Sequence, residues 1–229
     1  MRTLKEGVVG RGSRRLRSEK GMAEAHLPSK EEARFSGLTN LRNRIFIMRH
    51  GQSEANARGL IVCSPDVGCS SYGLTDLGRS QVLEGCKTLQ SLLQSSSPPL
   101  SPDIDIVIVS SDFKRASETA QIVKNRFKIA SDIILEPALR ERDFGQLNLT
   151  SDANYQKVWD VDSRDPQHTE CGCESVASVV LRTSRLLQRL DLEYKDKAIL
   201  LVSHGDTLQI LSTLFLGIPP NDHKTLPNL

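Results

Sequence analysis

The sequence predicts an α/β fold, a three-layer α/β/α sandwich around a mostly parallel central sheet. Three observations lead there. Apolar runs of strand length alternate with longer segments whose apolar residues recur at helical spacing. The runs are apolar at consecutive positions, which is how strands buried on both faces read. Two of them, Ile45-Phe46-Ile47-Met48 and Ala198-Ile199-Leu200-Leu201-Val202, lead at once into Arg49-His50-Gly51 and Ser203-His204-Gly205-Asp206.

Taken in order, residues 1–40 read as a basic extension. The Gly-, Ser- and Arg-rich stretch from Arg11 to Lys20 has little apolar periodicity, so it is expected to be disordered. Residues 41–229 read as one domain. The first strand is expected over 44–48, and a Gly- and Ser-containing loop over 59–73. Thr75 can cap a helix carrying Leu77, Val82, Leu83, Cys86, Leu89, Leu92 and Leu93 on its apolar stripe. Ser95 to Pro102 breaks that helix. A second strand is expected over 104–109, a helix over 114–127 with Ala116, Ala120 and Val123 inward, and a third strand over 132–135, stopped before Pro137. Residues 145–173, which hold Trp159, read as irregular and polar. A long helix over 174–192, with Val176, Val179, Val180, Leu187 and Leu190 inward, precedes the fourth strand, 198–202. A last helix over 207–216 ends at Gly217 and Pro219.

Composition excludes several function classes. Apolar content of 38% and charged content of 25% are ordinary for a globular chain, and no apolar run approaches the length of a membrane span. Net charge is +2, but residues 1–44 hold 11 Lys/Arg against 5 Asp/Glu while the rest holds 19 against 23. The basic character therefore belongs to the extension, and no basic face for nucleic acid is expected on the domain. Five cysteines, Cys63, Cys69, Cys86, Cys171 and Cys173, lack CxxC spacing. They read as thiols in a reducing compartment rather than a disulfide or zinc framework, with Cys171-Gly-Cys173 as a redox or metal pair the weaker alternative. The cytoplasm is the expected location. A mitochondrial or plastid destination follows instead if the Arg-rich start is a transit peptide.

Residues that follow the ends of parallel strands enter the crevice where open α/β sheets bind ligands. Arg49-His50, Arg115, Glu141 and His204 all lie there. Singly, each has an ordinary role: a core or loop histidine, a solvated helix arginine, a salt-bridged carboxylate. Together they match phosphoryl transfer, which needs cations for the non-bridging oxygens, an in-line nucleophile and an acid for the leaving oxygen. Arg49, Arg115 and His204 suit the first task, His50 the second and Glu141 the third. Arginine and imidazolium would supply the positive charge, so no metal or other cofactor is expected.

These segments resemble the histidine phosphatase superfamily, whose fold is called phosphoglycerate mutase-like. The resemblance rests on Arg49-His50-Gly51-Gln52-Ser53-Glu54-Ala55-Asn56, Gly73 to Gly78, Ser110 to Ala120, Leu139 to Gly145 and Ser203 to Asp206, in the family's order. It implies that His50 becomes a phosphohistidine, that Glu141 is the proton donor, and that Arg49, Arg115, His204 and Asn56 bind the phosphate. Gly51 and Gly205 are expected to let backbone approach the anion. Cys173-Glu174-Ser175 stands where the family often has Gly-Glu-Ser. Family members usually continue with another strand, so the domain is also expected to be C-terminally truncated at Leu229.

The family holds hydrolases and mutases. Phosphoglycerate mutases carry a long basic segment after the catalytic glutamate, whereas residues 146–173 here hold Lys157 and Arg164 against Asp152, Asp160, Asp162, Asp165 and Glu170. Hydrolysis of a phosphorylated small molecule is therefore expected, with mutase chemistry or a non-catalytic phospholigand-binding domain as the alternatives. Neither a nucleic acid nor a membrane is expected as partner. The sequence leaves the substrate and the oligomeric state open.

Overall fold

The structure, a computed structural model, describes residues 4–6, 41–96, 99 and 106–227. Apart from residues 4–6, the expected N-terminal extension lies outside the described residues. Five strands form one sheet in the order β1-β2-β5-β3-β4: β1 (Leu4–Glu6), β2 (Arg44–Arg49), β3 (Ile106–Ser110), β4 (Ile134–Leu135) and β5 (Ala198–Ser203). β1 runs antiparallel to β2, and the other pairings are parallel.

Consecutive side chains leave a strand on opposite faces, and the core divides accordingly. Phe46, Met48, Ile108, Leu200 and Val202 point to one layer, with α3 (Asp76–Ser95) and α4 (Lys114–Phe127) packed over them. Ile45, Ile47, Val109, Ile199 and Leu201 point to the other, covered by α6 (Val176–Glu193) and α7 (Gly205–Leu216). The central strand β5 is buried at all six positions. The expected sandwich is therefore present, and its two histidine-bearing strands, β2 and β5, are neighbours.

Helix ends follow the expected chemistry. The Thr75 hydroxyl accepts from the Gly78 amide, and Ser175 accepts from Ser178. Gly217 closes α7 at φ 64°, a left-handed conformation that glycine adopts without steric cost.

Several expectations need correction. Leu77 and Leu83 lie on the exposed side of α3. β4 is two residues long, because the Glu136 side chain caps a tight 3-10 turn at Pro137–Leu139 directly after it. Residues 104 and 105 lie outside the described residues. Glu174 stands outside α6, since its carboxylate pairs with Arg182 and its amide bonds Asp143. The polar 145–173 segment contains α5 (Tyr155–Asp162). Short helices also form at α1 (Glu54–Ala57) and α2 (Pro65–Gly68), and a 3-10 turn at Pro220–Thr225. Among the described residues, no helix is long and apolar enough to cross a membrane.

Candidate active site

Three parallel strands end level and deliver the site. His50 follows β2, Ser111 follows β3 and His204 follows β5. Arg115, in the first turn of α4, reaches between the two histidines. Its Nε–H lies 3.0 Å from His50 Nε2 and 3.1 Å from His204 Nδ1, and its NH2 donates to the Val62 carbonyl at 3.0 Å. Arg115 NH1 is buried with no hydrogen-bond partner among the described residues. A buried guanidinium nitrogen left unpaired is costly unless an anion meets it.

The hydrogen bonds fix the tautomers. His50 Nδ1 lies 2.7 Å from the Gly51 carbonyl, which can only accept, so Nδ1 carries the proton and Nε2 keeps its lone pair. His204 accepts from Arg115 at Nδ1, so its Nε2–H faces the Ser111 hydroxyl at 2.9 Å. Burial first, then the Arg115 charge, pushes both imidazoles well below the ordinary histidine range. Both are therefore neutral near pH 7. In the free site the positive charge thus rests on Arg115 and Arg49.

Arg49 packs over Gly205, where an added Cβ would make ordinary contact, 3.4 Å, with the guanidinium carbon and Nε. At Gly51, a Cβ would come 2.3 Å from the Gly78 carbonyl oxygen, and at Gly78 one would come 2.1 Å from that of Gln52. Both glycines were expected to admit an anion. Gly51 instead admits the first turn of α3, while Gly205 leaves room for a Cβ beside Arg49. Thr119 ties this floor together, since its hydroxyl accepts from the Gly51 amide and donates to the Arg115 carbonyl.

Glu141 sits at the edge of the same pocket, 9% exposed. Two anchors hold the loop that bears it: Ser203 donates to the Leu139 carbonyl at 2.6 Å, and Arg140 pairs bidentately with Asp112 at 2.8 and 2.6 Å. Glu141 Oε1 accepts from the Arg142 amide at 3.0 Å and from the Thr207 amide and hydroxyl at 3.3 Å. Burial, then the neighbouring Asp206 carboxylate, raises its proton affinity against the opposing pull of Arg115. A carboxyl that holds its proton nearer neutrality suits a general acid.

Asn56 stands apart from this cluster. It is exposed, and its Oδ1 accepts from the Ser53 amide and hydroxyl in a capping box on α1. The amide nitrogen Nδ2 is what remains to meet an anion.

Several contributors escape a sequence reading. Ser111 orients His204, and Thr207 holds Glu141. Tyr155 packs edge-to-face on Phe144 with centroids 4.7 Å apart and stacks on Trp159 at 5.0 Å, bringing α5 toward the site. Burial, then the Glu141 charge, pushes its phenol up, so it stays neutral. Behind Glu141 lies a buried ionic cluster. Arg142, fully buried, pairs bidentately with Asp162 at 2.6 and 2.8 Å and reaches Asp206 at 3.3 Å. Asp162 also meets His168 at 2.7 Å. Ser111 and Asp206 were visible beside the motif residues, but nothing in the sequence marks Arg142 or Asp162 as buried.

All five cysteines are free thiols. Among the described residues, no group of three or more His, Cys, Asp or Glu side chains is placed to hold a metal ion.

A model of the histidine phosphatase superfamily (branch 1) matches residues 45–228. The chain is 28% identical over 197 residues to a glucosyl-3-phosphoglycerate phosphatase of Mycolicibacterium vanbaalenii, covering 80% of this chain and 78% of that one. It is 29% identical over 194 residues to a probable phosphoglycerate mutase of Cronobacter sakazakii, covering 80% and 79%. A solved mycobacterial glucosyl-3-phosphoglycerate phosphatase in complex with VO3 shares the fold, with TM-score 0.63, 24% identity, and coverage of 80% and 86%.

Proposed function

Because the chain belongs to the histidine phosphatase superfamily, we propose that it hydrolyses phosphomonoesters of small molecules through a phosphohistidine on His50. The observation that carries this is the His50 tautomer: Nδ1 is committed to the Gly51 carbonyl, and the Nε2 lone pair is turned to the Arg115 guanidinium, from which it accepts at 3.0 Å. In the first step Nε2 attacks phosphorus, the bond to the leaving oxygen breaks, and that oxygen takes the proton of Glu141. In the second step a water oxygen attacks phosphorus, Glu141 takes the water proton, and the phosphorus–nitrogen bond breaks. Arg49 and Arg115 hold the non-bridging oxygens, with Nδ2 of Asn56 as a further donor. Once a dianion sits between the arginines, His204 gains a reason to take up a proton. This charge comes from side chains, so turnover is expected to persist in EDTA.

Hydrolysis is favoured over mutase chemistry by the surroundings of the 146–173 segment. Its acidic residues Asp152, Asp160, Asp165 and Glu170 are exposed, and Arg164 Nε is turned to the Asp160 carbonyl. Asp162 is neutralised by Arg142 and adds no repulsion. The segment thus offers little to hold a second anionic group for re-transfer.

The test is phosphate release from a panel of phosphomonoesters in EDTA, beside 3-phosphoglycerate isomerisation. Release without isomerisation is expected. His50→Ala should cost about 10^4-fold or more, because no other group can carry the phosphoryl. Near-wild-type turnover by that variant overturns the covalent route, and isomerisation overturns the hydrolase assignment.

A further inference from the structure

Two sequence-adjacent pairs face each other at the back of the pocket. Glu141 accepts from Thr207, and their neighbours Arg142 and Asp206 form an ion pair at 3.3 Å. Asp206 is almost wholly buried. Its other carboxylate oxygen turns toward the terminal 3-10 turn, 3.2 Å from Lys224 Nζ and 3.4 Å from His223 Nε2. That turn is seated firmly. Lys224 lies 3.6 Å above the Trp159 ring and donates to Gln209 at 2.6 Å, and the His223 side chain is fully buried. An unbroken chain of contacts thus runs from Pro220–Thr225 through Asp206 to the loop bearing the carboxyl of Glu141.

We propose that Asp206 is a positioning residue through which the Pro220–Thr225 turn governs proton donation by Glu141. The inference rests on the proton-donor role proposed above. The contacts of Asp206 are with Arg142, His223 and Lys224, so its role is to position rather than to react. Its charge acts across the cross-link: a carboxylate near Glu141 favours the protonated acid, and the Lys224 ammonium attenuates that effect. Other ionisable groups that act on Glu141 or on its bonded neighbours include Arg115 of α4, Tyr155 of α5, Cys63 of the first loop, the adjacent Arg142, and Arg182 of α6, which donates to Thr207. Asp206 joins Arg142 to Lys224 of that turn, whereas Asp162, which also pairs with Arg142, meets the turn at His223, 3.8 Å away.

The sign follows from the charges. Asp206→Asn removes the anion and leaves Arg142, so Glu141 loses its proton more readily and the basic limb of kcat/KM moves to lower pH. Lys224→Met keeps the aliphatic stem but removes a cation beside Asp206, so the limb moves to higher pH. Shifts of about half to one pH unit are expected. The experiment is the pH profile of full-length wild type, Asp206→Asn and Lys224→Met with an alkyl phosphate, whose poor leaving group makes the acid essential. Opposite displacements support the inference. A merely structural role lowers kcat without moving the limb, and unmoved or same-direction limbs overturn it. Should Asp206→Asn fail to fold, Lys224→Met still decides, since its ammonium is partly exposed and its loss leaves the buried cluster in place. Glu141→Gln separates the two readings: if the basic limb survives in that variant, the proton-donor role fails. If the limb vanishes there yet stays put in the other two, only the Asp206 inference fails.

Discussion

Two buried arginines, about as hidden as each other, do opposite work. Arg115 is 4% exposed and Arg142 is 0% exposed. Arg142 meets two carboxylates and a backbone carbonyl. Burial opposes its charge, but Asp162 and Asp206 hold its proton affinity above the usual arginine range. Arg115 meets two neutral imidazoles and one carbonyl, leaves NH1 unpartnered, and has its proton affinity lowered by burial. A buried charge with its counterion built in is architecture. A buried charge without one carries a cost that a bound anion would relieve.

Replacing Arg115 should break the comparison most sharply if it is wrong. Arg115→Met is expected to cut phosphate release by about 10^3-fold or more, the scale of losing an arginine that stabilises a transferring phosphoryl group. Its urea midpoint should hold or rise, because an uncompensated buried charge has gone. A clear loss of stability would show that Arg115 is structural as well.

The mirror experiment acts on the other arginine. Asp162→Ala leaves Arg142 with half its charge partners and should cost about 3–5 kcal/mol of stability by denaturant unfolding. Loss of activity should follow only as far as the fold is lost. A stability change below about 1 kcal/mol would place Arg142 closer to Arg115 in character.

The smallest effect is on pH. The folded imidazoles of His50 and His204 bind protons less readily than the unfolded chain, whose histidines titrate near 6.5. As pH falls below about 6.5, protons are taken up by the unfolded state first, so stability is lost on the acid side. Glu141 works in the opposite sense: its raised folded affinity contributes stability at low pH that is lost as pH rises through its folded titration. Calorimetry at pH 7.5 and 5.5 should show Tm lower by about 2–4 °C per kcal/mol of this loss, and His204→Asn should flatten the drop. An unchanged drop in that variant would count against the buried neutral imidazole.

The same contrast explains what the sequence made legible. Strands and most helices were readable because their buried residues are apolar. Short motifs at strand ends marked Arg49, His50, Arg115, Glu141 and His204 as candidates, and the structure brings His50, Arg115 and His204 within hydrogen-bond reach. Helix α5 was not readable, because its buried positions are Val158 and Asp162, and a buried aspartate reads as surface. Arg142 was overlooked for the same reason, although it neighbours Glu141. Leu77 and Leu83 misled in the other direction, being apolar yet exposed. Patterning reports apolar burial, and the ionic cluster is hidden by pairing.

The level ending of the strands carries a consequence for how this chain can change. Val202 is flanked in register by Met48 on one side and Ser110 on the other, and Ser203 by Arg49. Side chains reverse direction at each residue, with a rise of about 3.3 Å. Deleting one residue within β5 would preserve its apolar character and its ladder, yet turn His204 into the opposite layer. Deleting two would restore the direction but draw the imidazole back by about 6.6 Å, out of reach of Arg115 and Ser111. The strands thus act as rulers, and descent can trade their side chains more freely than their lengths.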